Sequence, residues 1–143
     1  LCDRRQRQMC IRDREHKPVY DIYFVGLTLP RPILYDRINK RVDLMIEQGL
    51  EEEVKKIYDS GLSRNAQSMK AIGYKEWFDY FEGSKTKEQI IEEIKKHSRN
   101  YAKRQYTWFN NQFDVHWYDV NLEDFDSTIH QVLKDIEEWY KKR

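Results

Sequence analysis

Two short apolar runs, separated by residues 30–114, constrain this chain more than any other feature of its sequence. The first, YDIYFVGLTL at residues 20–29, is rich in β-branched and aromatic residues and is apolar on both faces, as suits a strand buried inside a sheet. Pro30 and Pro32 end it. The second, VHWYDV at 115–120, is another strand candidate. A strand, a largely helical crossover, a second strand and a closing helix imply an α/β layout with much of its sheet missing.

The crossover reads as helices. From Ile33 to about Gln48, the residues Leu34, Ile38, Val42 and Met45 recur at helical spacing, and Gly49 stops the run. A second helix covers Leu50 to Ser60 and stops at Gly61. Residues 68–82 suggest a helix or helix-loop unit with Gly73 as its weak point. Thr86 and Gln89 form a plausible capping box for a long helix from Lys87 to about Gln112, and a last amphipathic helix runs from about Asp126 to Tyr140. No internal repeat or low-complexity segment interrupts this order.

A length of 143 residues, 39% hydrophobic and 36% charged, fits one domain able to bury a real core. The formal net charge is only +1, so affinity for nucleic acid must come from a local basic patch. No run of 18 apolar residues and no signal-peptide order occurs, which makes a soluble, cytoplasmic protein the expectation. Both cysteines, Cys2 and Cys10, fall in LCDRRQRQMCIRDR, so neither a disulfide framework nor a cysteine metal site is supported. That segment reads as a phosphate-gripping basic arm or as a disordered tail. MCIRD is also what ATG TGT ATA AGA GAC encodes, and it resembles a sequencing-library transposon end read through as protein. Residues 1–14 are therefore expected to be adapter read-through or a disordered tail.

Two helices break their own pattern. Arg41 shares the face defined by Leu34, Ile38 and Met45, and Arg37 lies one turn earlier near its edge. Such an arginine either snorkels out of the apolar stripe or aims its guanidinium into a cleft, where its fork suits phosphate oxygens. On the long helix Ile90, Ile94, Tyr101, Trp108 and Phe109 fall on one side, and Lys96, Arg99, Lys103, Thr107 and Asn110 on the other. The polar stripe is either a solvated face or a track for a phosphate backbone, with Arg104 nearer the aromatic boundary. Gln105 projects into the apolar face, where an amide costs free energy unless a network or a bound base meets its hydrogen bonds. Trp77, Trp117 and Trp139 lie on apolar patterns and read as core.

Three linked motifs, LYDRINKRVDLMIEQGLEEEV, SMKAIGYKE and YAKRQYTWF, stand in this order and spacing. They resemble the C-terminal part of the bacterial tRNA dimethylallyltransferases, also called tRNA isopentenyltransferases. The resemblance runs from about Tyr20 to the end, somewhat under half of a complete family member. It implies the C-terminal fragment of a P-loop NTPase-like α/β fold, here predominantly helical with two short strands. Residues 15–143 would be the C-terminal part of the prenyltransferase core with its tRNA-contacting helices. The activity implied is transfer of a dimethylallyl group from dimethylallyl diphosphate to N6 of adenosine 37 in tRNA. The implied partners are the tRNA anticodon stem-loop and dimethylallyl diphosphate, with Mg²⁺ as cofactor, no membrane and a monomeric state.

Carried over by residue, the resemblance makes Arg41 the diphosphate-contacting arginine and Arg37 a second candidate for that surface. Lys70, Ala71, Ile72, Gly73, Tyr74 and Lys75 match one tRNA-contacting segment; Lys70 stands where many relatives carry arginine, which weakens bidentate phosphate contact. Lys103, Arg104, Gln105, Tyr106, Thr107, Trp108, Phe109 and Asn110 match the other. The GxxxxGK[ST] phosphate loop and the early aspartate that serves as general base in the family are not within these 143 residues, and neither are the ligands of the implied Mg²⁺. The fragment is therefore expected to be inactive alone. Two other readings stand beside this one: an adenylate isopentenyltransferase of the same superfamily, and a non-catalytic helical RNA-binding module.

Overall fold

The structure, a computed structural model, describes residues 20–142. The readings of residues 1–14, and of Cys2 and Cys10, concern positions outside the described residues. Strands β1 (Phe24–Thr28) and β2 (Val115–Asp119) pair in parallel, with Phe24 opposite Val115 and Thr28 opposite Asp119. Between them run α1 (Arg31–Glu47), α2 (Leu50–Asp59), a 3₁₀ turn (Gln67–Lys70), α3 (Trp77–Phe81) and α4 (Lys87–Gln112). After β2 comes α5 (Phe125–Lys141). The architecture is thus helical, with two parallel strands joined through a helical crossover.

Local chemistry accounts for the helix boundaries. Pro32 sits in the first turn of α1, where its missing N–H costs nothing. Gly49, at φ +96°, makes the joint between α1 and α2 in a conformation that a side chain would oppose. The capping box of α4 is formed: the Thr86 hydroxyl accepts from the Gln89 N–H, and the Gln89 amide oxygen accepts from the Thr86 N–H at 3.0 Å. Asp124 caps α5 by accepting from the Ser127 N–H at 3.2 Å.

Of the two alternatives for residues 68–82 the helix-loop unit is the one formed: the chain turns through residues 71–76, where Gly73 adopts φ +95°, and only the short α3 follows. One expectation needs correction. Strand β1 is five residues long and is not enclosed, with Val25 41% and Leu27 50% exposed. Enclosure requires a strand on each side and layers on both faces, whereas among the described residues β1 pairs only with β2.

The core lies among the helices. Val42 of α1, Leu50 and Val54 of α2, Trp77 of α3, and Ile90 and Ile94 of α4 form one buried cluster, as the apolar spacing of these helices requires. Trp77 is fully buried against Tyr80 and Phe81. Trp117 and Trp139 are only partly buried, the first against Tyr106 and the second against Tyr23. The first half of α4 belongs to this core. Its second half leaves the core for the sheet, so Tyr101, Trp108 and Phe109 keep the apolar side but are 41–53% exposed. Within the sheet, Gly26 of β1 makes room for side chains of β2: a Cβ there would fall 2.5 Å from Trp117 Cε3.

Candidate functional site

Three segments that are distant in sequence line one open cleft of about 940 Å³. One wall is α1, which contributes Leu34, Ile38, Arg41 and Met45. The 3₁₀ element ends in Lys70, and the turn after it brings Ala71, Ile72 and Lys75. From α4 come His97, Ser98, Tyr101, Arg104 and Gln105. The helical period that places Arg41 among apolar residues is what brings this exposed residue to the lining of the cleft. Arg41, Lys70, Lys75 and Arg104 line it, and among the described residues no carboxylate does. A concave surface carrying one sign of charge concentrates its potential and suits a polyanion.

The expected site residues do not all converge. Arg37 is exposed one turn before Arg41 and does not line the cleft. Gly73 is buried and Tyr74 turns away, its hydroxyl donating to Glu53, which pushes the phenol up from its ordinary value. Lys103, Thr107 and Trp108 lie on the adjoining outer flank of α4, where with Asn111 and with Asn100 and Arg104, which also border the cleft, they line a second depression. Tyr106 and Phe109 face the sheet, where with Val25, Leu27, Val115 and Trp117 they line an apolar cavity of about 500 Å³. Asn110 reaches the same side and accepts from the Trp117 indole N–H at 3.4 Å. Gln105 and Ala102 border both this cavity and the cationic cleft. The amide that looked misplaced on an apolar stripe therefore stands on the ridge between a charged space and an apolar one.

Arg99, grouped by helical spacing with the outer stripe, points inward instead. Its Nη1 donates to Asn39 Oδ1 of α1 at 2.6 Å, so it joins two helices. Lys95 adds an ion pair to Asp43 at 2.8 Å, also between α4 and α1. Both contacts tie α4 to α1.

Glu76 and His97 escaped the sequence analysis. Glu76 is 3% exposed, yet both carboxylate oxygens are engaged: Oε2 accepts from the Gly73 N–H at 2.8 Å, and Oε1 lies 2.6 Å from His97 Nδ1. Lys75 Nζ is 3.8 Å from Oε1. A buried carboxylate is tolerable only when its oxygens are satisfied in this way. The sole signal in the sequence is an acidic residue immediately before the apolar WF pair, and that pattern is common on ordinary helix starts.

Among the described residues no group of three or more His, Cys, Asp or Glu is placed to hold a metal ion. The charged groups lining the cleft are cations, so these residues do not fit a Mg²⁺ site. Also among the described residues, no helix is long and apolar enough to cross a membrane.

The model of the family described as IPP transferase matches residues 3–112. The chain is 50% identical over 122 residues to the tRNA dimethylallyltransferase of Halalkalibacterium halodurans, an alignment covering 85% of this chain and 38% of that protein. It is 50% identical over 127 residues to that of Bacillus cytotoxicus, covering 89% and 39%. Among solved structures, the full-length tRNA isopentenylpyrophosphate transferase of Bacillus halodurans superposes with a TM-score of 0.74 at 45% identity, covering 95% of this chain and 45% of that one. The corresponding transferase of Staphylococcus epidermidis gives 0.70 at 41% identity, covering 87% and 39%. The chain thus spans about two fifths of the length of the curated relatives it matches.

Proposed function

This chain belongs to the IPP transferase family, and on that premise we propose that it is the carboxy-terminal part of a tRNA dimethylallyltransferase. The whole enzyme would have a P-loop NTPase-like core and act on tRNA in the cytoplasm as a monomer. In the reaction, N6 of adenosine 37 attacks C1 of dimethylallyl diphosphate. A carbon–nitrogen bond forms as the carbon–oxygen bond to diphosphate breaks, and the electron pair leaves with the diphosphate. The proton released from N6 passes to a base outside the described residues.

The residues in hand have two tasks in this scheme. Arg41 stabilises the charge that grows on the departing diphosphate, an interaction stronger in the transition state than in the ground state and therefore one that raises the rate. Lys70, Lys75 and Arg104 hold the anticodon loop by its phosphates, and Gln105 offers amide hydrogen bonds to a base taken out of the stack. The Mg²⁺ that the resemblance implies would need oxygen ligands from beyond these residues.

The single observation that carries the reading is convergence: Arg41, the Lys70–Lys75 turn and the Arg104–Gln105 pair meet in one cleft that no carboxylate lines among the described residues. The test is to incubate the full-length enzyme with radiolabelled dimethylallyl diphosphate and either tRNA or AMP. Label in tRNA at adenosine 37 is the expected result. Label in AMP alone would make it an adenylate isopentenyltransferase, and tRNA binding without transfer would make it a non-catalytic RNA-binding module.

A further inference from the structure

We propose that Glu76 is a positioning residue for RNA, one that acts on the tRNA through the turn it braces and through His97. The proposal rests on the reading of the cleft as a tRNA site and adds to it a residue that touches no RNA. Glu76, with a side chain 2% exposed, is not in the cleft's lining but borders the adjoining depression, which Lys70, Lys75 and His97 share with Asp79 and Glu93. One oxygen accepts from the peptide of Gly73, whose φ of +95° turns the chain between Lys70 and Lys75. The other meets His97, and His97 lines the cleft from the opposite element, α4. A single carboxylate therefore ties the wall bearing Lys70 and Lys75 to the wall bearing Arg104 and Gln105.

The chemistry is specific to a carboxylate. An ionised carboxylate only accepts, so it satisfies a backbone N–H and an imidazole N–H together and fixes Nδ1 as the donating ring nitrogen. The other ring nitrogen is then the one left for the cleft. Burial strengthens both bonds because no water competes for the oxygens. Packing alone would be served by an apolar residue here; it does not account for a buried anion bonded to the Gly73 peptide and to His97. Its placement fits a role in setting where the two lysines stand when phosphates arrive.

The experiment is a double-mutant cycle in the full-length enzyme, reading the dissociation constant of an anticodon stem-loop RNA by fluorescence anisotropy. Glu76→Gln keeps the size and one acceptor, and is expected to weaken binding about tenfold in the otherwise native enzyme. In the Lys70→Ala, Lys75→Ala background it is expected to weaken binding by less than about twofold, because the groups it positions are gone. His97→Gln gives a second reading if Glu76→Gln fails to fold, with the same non-additivity expected. Equal losses in both backgrounds would overturn the proposal and leave Glu76 a general stabiliser. Unchanged binding in the native background would overturn it as well. A native enzyme that fails to bind the stem-loop at all would overturn the tRNA reading itself, and this proposal with it.

Discussion

Arg99 of α4 donates to Asn39 of α1 across 2.6 Å, and this bond, with the Lys95–Asp43 ion pair, ties together the two helices that contribute most of the cationic cleft's lining. Both partners lie on helices whose apolar sides already pack through Val42 and Ile94, so the polar pair fixes the rotation of one helix against the other rather than their association. Asn39→Ala leaves a partly buried guanidinium without this acceptor. The expected cost is about 1.5 kcal/mol of stability, read as a fall of several degrees in Tm by calorimetry.

Lys103 and Arg104 are neighbours in sequence but face different spaces, the first on the outer flank of α4 and the second in both the outer depression and the cleft. Replacing both with alanine is expected to weaken tRNA binding and to reduce the slope of log K against log salt by about 1.5, the loss of two single-strand phosphate contacts. Filter binding across a salt series measures it. An unchanged slope would remove these residues from the phosphate track.

A separate charge network clamps the loop before the 3₁₀ turn to α3 and α4. Asp79 receives Lys85 at 2.9 Å and Arg64 at 2.6 Å, and Lys85 also meets Glu93 at 2.8 Å. The Lys85 ammonium, then the Arg64 guanidinium, hold the Asp79 carboxyl below its ordinary value. Its contribution is present above about pH 3.9, the ordinary aspartate value, and is lost as pH falls through the depressed folded value. Lys85 is shifted upward by Glu93 first and Asp79 second, so its contribution is full below its ordinary value and is lost only as pH rises through the raised one. Urea denaturation between pH 2 and 7 is expected to show the Asp79→Asn variant losing less stability on acidification than the native protein.

Much of this was legible in the sequence, for identifiable reasons. Helical period alone exposed Arg41 and Gln105 as residues on the wrong face, and both border the cleft. The capping box of α4 was readable because it is local chemistry, three residues apart. Glu76 was not legible: its burial arises from the approach of a turn to a helix 21 residues away, and nothing in YKEWF marks a charge as inward. Arg99 was misplaced for the converse reason. A 100° wheel orients a residue on its own helix, but a long guanidinium reaches a neighbouring helix from the edge of the polar stripe. The strand at 24–28 was recognisable by composition, whereas its exposure depends on how many strands flank it.

The measurement that bears most directly on the central claim compares chemistry and binding in one variant. In the full-length enzyme, Arg41→Ala is expected to slow single-turnover prenyl transfer by about 10²- to 10³-fold, because a preplaced cation facing the leaving diphosphate is lost. The tRNA dissociation constant is expected to change by less than about threefold, since the lysines and Arg104 remain. A native transfer rate, or a loss confined to tRNA affinity, would contradict the account of Arg41 and leave the cleft an RNA-binding surface alone.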